Sequence, residues 1–204
     1  MSDTLKLIII GVAGYLLGSL NFAIILSKIR DITDDVRHHG SGNAGATNML
    51  RSYGTLLAII TLIGDGIKCI AAVLMARSFM PGSLEAELIA ATLCIIGHCF
   101  PLYFGFRGGK GIMTAAAMAL VIDWRLFIIV LVVFAAVVAL TRYVSLSSIC
   151  AAVSFAIGSI FVRHGETGFI IWAFCIALFL ILLHHQNIKR LASGTEPKLS
   201  FKKK

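Results

Sequence analysis

The chain has 204 residues, 58% hydrophobic and 14% charged, with a mean hydropathy of +0.93. A soluble domain of this size carries more charge, so the composition excludes one and implies a single polytopic membrane bundle with no separate soluble domain. The net charge of +8 would suggest nucleic acid for a soluble protein; here it reads as lysine and arginine held on one side of a bilayer.

The first apolar run, 5–28, lacks a basic head and a small-residue cleavage site, so it reads as a retained span. Gly14 and Gly18 in it form a GxxxG pair, extended by Ser19 and Ala23, a pattern for close helix packing. Further runs of roughly the needed length fall at 54–79, 85–104, 111–122, 125–141, 144–162 and 167–184, of which 111–122 is short. The break at Asp123-Trp124-Arg125 divides a stretch, 111–141, too long for one tilted helix. The expectation is an all-α membrane bundle of about seven transmembrane helices. Asp65 and Lys68, near the middle of the second span, share a helix face at i,i+3 and can neutralise each other, as a structural pair or a functional one. The five cysteines (Cys69, Cys94, Cys99, Cys150, Cys175) lie in or beside apolar runs, with no disulfide framework. Cys94, His98 and Cys99 lack a second cluster to complete a metal site, and small buried hydrophobes account for them better.

Seven spans put the chain ends on opposite sides. With the N-terminus outside and the C-terminus cytoplasmic, one face receives Lys28, Arg30, Arg37, Arg51, Arg107, Lys110, Arg142, Lys189, Arg190, Lys198 and Lys202 to Lys204, thirteen of the eighteen cations. Lys6, Arg77, Arg125 and Arg163 fall on the other, which satisfies the positive-inside rule. The lysine-rich tail suits anionic headgroups.

That arrangement gathers three unusual segments on the cytoplasmic face. The first, 40–51, reads Gly40-Ser41-Gly42-Asn43-Ala44-Gly45-Ala46-Thr47-Asn48-Met49-Leu50-Arg51, with tight turns, neutral hydrogen-bonding side chains and a guanidinium fork suited to phosphate. Asn43 and Asn48 serve either to bind or to shape the loop. The second, 97–114, contains Phe106-Arg107-Gly108-Gly109-Lys110-Gly111. So much bare backbone and charge between apolar runs implies a built site, with amides converging on an anion such as phosphate. It is not a Walker loop, because Gly111 replaces the required Ser or Thr. The third, 184–196, begins His184-His185-Gln186-Asn187, and places His184 and Asn187 on one helix face at i,i+3. Asp34 and Asp35 beside Arg37 read as an ordinary solvated loop.

Together GSGNAGATNMLR, GHCFPLYFGFRGGKGIMT and HHQNIKRLASGTE resemble the PlsY family of membrane glycerol-3-phosphate acyltransferases, as does the D-x-x-K pattern at Asp65 and Lys68. The likeness covers the whole chain. Arg107 stands where the family has lysine, and Asn21 where proline is frequent, which implies a different kink in the first helix. The resemblance implies acyl transfer from acyl phosphate to the 1-hydroxyl of sn-glycerol 3-phosphate, giving lysophosphatidate and phosphate, the first acylation of phospholipid synthesis. It implies no cofactor, a bacterial cytoplasmic (inner) membrane location, membrane lipid around the chain, and the soluble enzyme that makes acyl phosphate as a partner; nucleic acid is not one. On this resemblance Ser41, Arg51, Lys110, His184 and Asn187 bind glycerol 3-phosphate and orient its hydroxyl. Thr47, Ser145 and the amides of Gly108 to Gly111 hold the acyl-phosphate headgroup, with Lys110 placed to bridge both anions. Gly40, Gly42, Asn43, Asn48 and Arg107 complete the binding set. The general base is His184 or a substrate phosphate.

The chain lacks H-x-x-x-x-D and G-x-S-x-G, so neither an acyl-CoA type acyltransferase nor a serine nucleophile is indicated. Two other classes compete. A small transporter for anionic solutes shares the glycine-broken backbone, but its paired broken helices are not seen. An alcohol phosphotransferase wants a carboxylate cluster, and the cytoplasmic acids are few: Asp31, Asp34, Asp35 and Glu196.

Overall fold

The computed structural model describes residues 1–199, so Lys202 to Lys204 of the basic tail lie outside the described residues. Among the described residues the elements are helical, and they form two compact units, Met1–Ile122 and Asp123–Lys204.

The first unit contains α1 (Asp3–Gly18), α2 (Phe22–Arg30), α3 (Ala46–Tyr53), α4 (Thr55–Phe79), α5 (Leu84–Cys99) and α6 (Ile112–Ile122). Ser2 caps α1 by accepting from the Leu5 amide, and Asp3 adds a negative charge to its first turn. The GxxxG pair does what its spacing predicts. A Cβ on Gly14 would stand 2.7 Å from the Ala90 carbonyl oxygen, and one on Gly18 would overlap the Cys94 carbonyl. Helices α1 and α5 therefore meet backbone to backbone, a contact that lipid alone does not drive.

The first apolar run is not one continuous helix. It breaks at Ser19-Leu20-Asn21, where Asn21 accepts from the Ile24 amide at 3.2 Å and caps α2. A break at membrane depth needs partners for its freed carbonyls. Lys68 supplies them: its Nζ donates to the Gly18 and Leu20 carbonyls at 3.0 and 2.9 Å. The same ammonium lies 2.9 Å from Asp65 Oδ1 and 2.9 Å from His98 Nδ1. The Asp65–Lys68 pair thus has a structural role, with the pair's charge balanced inside the unit.

The second unit contains α7 (Trp124–Thr141), α8 (Val144–Val162), α9 (Thr167–Leu182) and α10 (His185–Ala192). Asp123 caps α7 by accepting from the Arg125 amide at 3.1 Å, which places the break where the sequence put it. The Arg125 guanidinium beside it holds the Asp123 carboxyl below the usual carboxylate range. Helix α7 packs on α8 and α8 on α9, with Leu126, Phe155, Phe169 and Ala173 buried.

All seven expected spans are found as helices, but not all are of spanning length. Five segments are long and apolar enough to cross a membrane, α1 with α2 counting as one. A sixth follows if α9 and α10, bent by 60°, form one broken span. Helix α6 has 11 residues, about 16 Å at 1.5 Å per residue, against a hydrocarbon core about 30 Å thick. The expected fourth span is therefore too short to cross alone.

Candidate functional site

In the first unit, residues 31–45 are anchored from below. Val36, Ala44 and Met49 are buried with Ala23 and Ile24 of α2 and Ala58 of α4. Gly40 and Gly42 take φ of +56° and +71°, the left-handed region that glycine enters without strain. Asn48 organises the turn they make. Its Oδ1 accepts from the Ser41 amide at 2.9 Å, and its Nδ2 donates to the Val36 and His39 carbonyls at 3.0 and 2.9 Å. With its carboxamide occupied by three backbone groups, buried Asn48 shapes the loop; this corrects its placement among the binding residues. Ser41, between the two glycines of the turn, is exposed, as is Arg51 on α3; Thr47 and Asn43 are half-buried. Thr47 and Arg51, four apart, share a face of α3.

The solvated-loop expectation for Asp34 and Asp35 is also corrected. Asp34 accepts from Tyr53 Oη at 2.6 Å and lies 2.6 Å from His39 Nε2. The Tyr53 hydrogen bond leads in holding the Asp34 carboxyl below its ordinary range. Burial and the Asp34 charge push the Tyr53 phenol up in turn. Asp35 is buried against Arg37. Burial alone would raise its pKa, yet hydrogen bonds from the Arg37 side chain and amide hold it down.

The second segment folds back on the end of α5. The Gly108 amide donates to the Cys99 carbonyl at 3.0 Å and the Gly109 amide to the His98 carbonyl at 3.1 Å. These two amides are therefore spent within the fold, which corrects the expectation that they face an anion. Both glycines are required by close approach instead. A Cβ on Gly109 would overlap His98 Nε2 and stand 2.5 Å from the Ala44 carbonyl, while one on Gly108 would overlap the His98 carbonyl. Lys110 follows, half-buried, and Gly111, at φ +74°, leads into α6. The first and second segments are joined by Arg37, whose Nη1 donates to the Phe104 and Arg107 carbonyls at 2.6 and 3.0 Å. The Arg107 side chain is exposed.

In the second unit, the turn between α9 and α10 carries His184, buried, with Nδ1 2.8 Å from the Leu180 carbonyl. A carbonyl only accepts, so Nδ1 bears the proton and a neutral ring has its lone pair on Nε2. Asn187 Nδ2 and Ser145 Oγ both donate to Glu196 Oε1, at 2.7 and 2.6 Å, and Arg190 Nε donates to Oε2 at 2.7 Å. Burial would raise the Glu196 carboxyl, but these three bonds hold it below the ordinary glutamate range. Ser145 is thereby the member of its serine group tied to Asn187. The Leu199 amide donates to the Arg142 carbonyl at 2.7 Å, which fastens the segment after α10 to the α7–α8 turn.

The sequence reading did not assign roles to Glu196, Arg37 or His98. An acid inside an otherwise basic, glycine-containing tail was the one available signal for Glu196. Nothing in the one-dimensional pattern separates Arg37 from a topology anchor.

These features define a class first: a helical integral membrane protein with polar, glycine-rich segments at its helix ends. A family model described as glycerol-3-phosphate acyltransferase matches residues 8–194. The chain is 41% identical over 196 residues to a glycerol-3-phosphate acyltransferase of Laribacter hongkongensis, covering 95% of this chain and 96% of the relative. It is 36% identical over 201 residues to one from Cereibacter sphaeroides, covering 98% and 93%. Among solved structures it is similar to crystal structures of PlsY, an integral membrane glycerol 3-phosphate acyltransferase. The glycerol 3-phosphate form gives a TM-score of 0.88 at 29% identity, over 95% of this chain and 96% of that one. The lysophosphatidic acid form gives 0.85 at 28%, over 96% of both. The chain belongs to the glycerol-3-phosphate acyltransferase family.

Proposed function

We propose that the chain acylates the 1-hydroxyl of sn-glycerol 3-phosphate with a fatty acyl group from acyl phosphate, releasing lysophosphatidate and phosphate. Acylation of glycerol 3-phosphate follows from the family, and the observation that carries it is the match over 8–194, which takes in Ser41, Lys110 and His184. The donor is a reading from chemistry. Acyl phosphate is a mixed anhydride with a good leaving group, so attack by an oriented hydroxyl needs placement and charge stabilisation rather than a covalent enzyme nucleophile. The hydroxyl oxygen bonds to the acyl carbon, the carbon–oxygen bond to phosphate breaks, and phosphate leaves with the electron pair.

In this reading Ser41, Arg51, Lys110, His184 and Asn187 bind and orient glycerol 3-phosphate, and Lys110 serves both anions. Thr47 meets the acyl phosphate, with Asn43, Arg107 and Gly111 beside it, and Ser145 joins them by turning its hydroxyl away from Glu196 Oε1. Asn48, Gly40, Gly42, Gly108 and Gly109 shape the loops that present these groups, as their internal bonds and close approaches support. The hydroxyl proton passes to a substrate phosphate (second pKa about 6), and His184 orients the hydroxyl through Nε2. The site opens to the cytoplasm, with the chain in the bacterial inner membrane, a placement that the lysine and arginine distribution supports for seven crossings, α6 included.

The test offers purified protein glycerol 3-phosphate with acyl phosphate, acyl-CoA or acyl carrier protein as alternative donors. Lysophosphatidate from acyl phosphate alone is expected. Lysophosphatidate from acyl-CoA instead overturns the donor.

A further inference from the structure

We propose that Arg37 is a positioning residue for acyl transfer: it clamps the 102–111 loop to the 35–48 loop and so sets where Lys110 stands relative to Ser41. The inference rests on the functional reading above for the roles of those two residues, but its basis is geometric.

Arg37 lies in the single turn Val36–His38, four positions before Ser41. Its Nε and Nη2 donate to Asp35 Oδ1 and Oδ2 at 3.0 and 2.7 Å, a fork-on-fork pairing that fixes the plane of the guanidinium. Nη1, at the other edge of the same plane, reaches across to the Phe104 and Arg107 carbonyls at 2.6 and 3.0 Å. Those carbonyls flank Gly105 and Phe106, both in the left-handed region, and Arg107 stands three residues before Lys110.

An arginine recruited for a phosphate keeps an edge of its fork toward the anion. Arg37 instead pairs one edge with a carboxylate and directs both remaining Nη1 donors to backbone carbonyls of the other loop. Its charge is matched by buried Asp35 before any substrate arrives, so it acts on the reaction through the loops. Lysine cannot replace it, since one ammonium on a flexible stem has no plane with which to span a carboxylate and two carbonyls.

The test compares wild type with Arg37→Ala, Arg37→Lys and Lys110→Ala in the purified full-length protein, at equal amounts of folded enzyme. Amide hydrogen exchange across 102–111 reads the clamp without substrate, and kinetics with glycerol 3-phosphate read its consequence. Arg37→Ala should exchange faster across 102–111 and lose about a hundredfold in kcat/KM, the scale of an ångström-sized misplacement, with KM for glycerol 3-phosphate raised. Arg37→Lys should stay close to Arg37→Ala. Added guanidinium ion should restore part of the activity of Arg37→Ala and none of that of Lys110→Ala. Wild-type protection of 102–111 in Arg37→Ala overturns the proposal. So do wild-type kcat and KM, per folded enzyme, in Arg37→Ala. Full activity in Lys110→Ala strikes the functional reading instead, and leaves the exchange result to decide the clamp.

Discussion

Asn187 Nδ2 and Ser145 Oγ share one acceptor, Oε1 of Glu196, although Ser145 sits in the first turn of α8 and Asn187 in α10. A carboxylate holds both and turns its second oxygen to Arg190. Glu196→Gln would present an amide N–H₂ to one of these donors, so at least one bond must be lost. Hydrogen bonds to charged groups contribute about 1.5–3 kcal/mol each. Thermal unfolding in detergent should show a lowered midpoint, and acyl transfer should fall with it.

The same carboxyl gives a pH signature. Its folded-state pKa is depressed, so its stabilising contribution is complete above the ordinary glutamate value of about 4.3 and is lost as pH falls through the folded value. Unfolding midpoints followed down through this range should decline in wild type and less steeply in Glu196→Gln. Parallel declines would remove Glu196 as the source.

Gly18→Ala tests the contact between α1 and α5. The added methyl meets the Cys94 carbonyl, a backbone atom that cannot swing aside. Overpacking of this kind costs about 1–3 kcal/mol. The variant should give less folded protein and a lower melting temperature, whereas Gly168→Ala, with open space around it, should melt as wild type does.

Lys68→Met leaves Asp65 without its ammonium and the Gly18 and Leu20 carbonyls without their donor. Removing one partner of a buried pair costs about 3–5 kcal/mol. The double variant Lys68→Met with Asp65→Asn should recover part of the loss, because the stranded charge is gone. A double variant no more stable than the single one would contradict a paired role.

His184→Gln and Lys110→Ala separate orientation from proton transfer. With a substrate phosphate as base, His184→Gln should lower the rate but keep the shape of the pH–rate profile. Loss of a rising limb near pH 6.5, about the ordinary histidine value, would make His184 the base. Lys110→Ala should abolish turnover in the same assay.

Much of this architecture was legible in one dimension because hydrocarbon imposes a strict length and polarity code. The seven apolar runs, the break at Asp123 and the small-residue seam at Gly14 and Gly18 all come from that code. Loop interiors obey no such rule. Gly108 and Gly109 carry the composition of an anion nest, yet their amides answer the His98 and Cys99 carbonyls, a pairing set by how 100–107 doubles back. Asn48 resembles a ligand-facing group in sequence and Arg37 a topology anchor, and both turn out to hold backbone. A polar side chain's partner is a tertiary fact, so the pattern gave residue types correctly and their targets less often. The shortness of α6 was legible as well, since Gly111 and Asp123 bound an apolar run of the length the helix takes.

The ammonium of Lys68 seated in the gap of the first apolar segment has a consequence for biogenesis. Before the two meet, one nascent segment offers bare carbonyls to lipid and the other a buried charge pair, and neither is comfortable alone in hydrocarbon. Residues 3–30 and 55–79 are therefore best released into the bilayer together, as a mated hairpin, rather than one after the other.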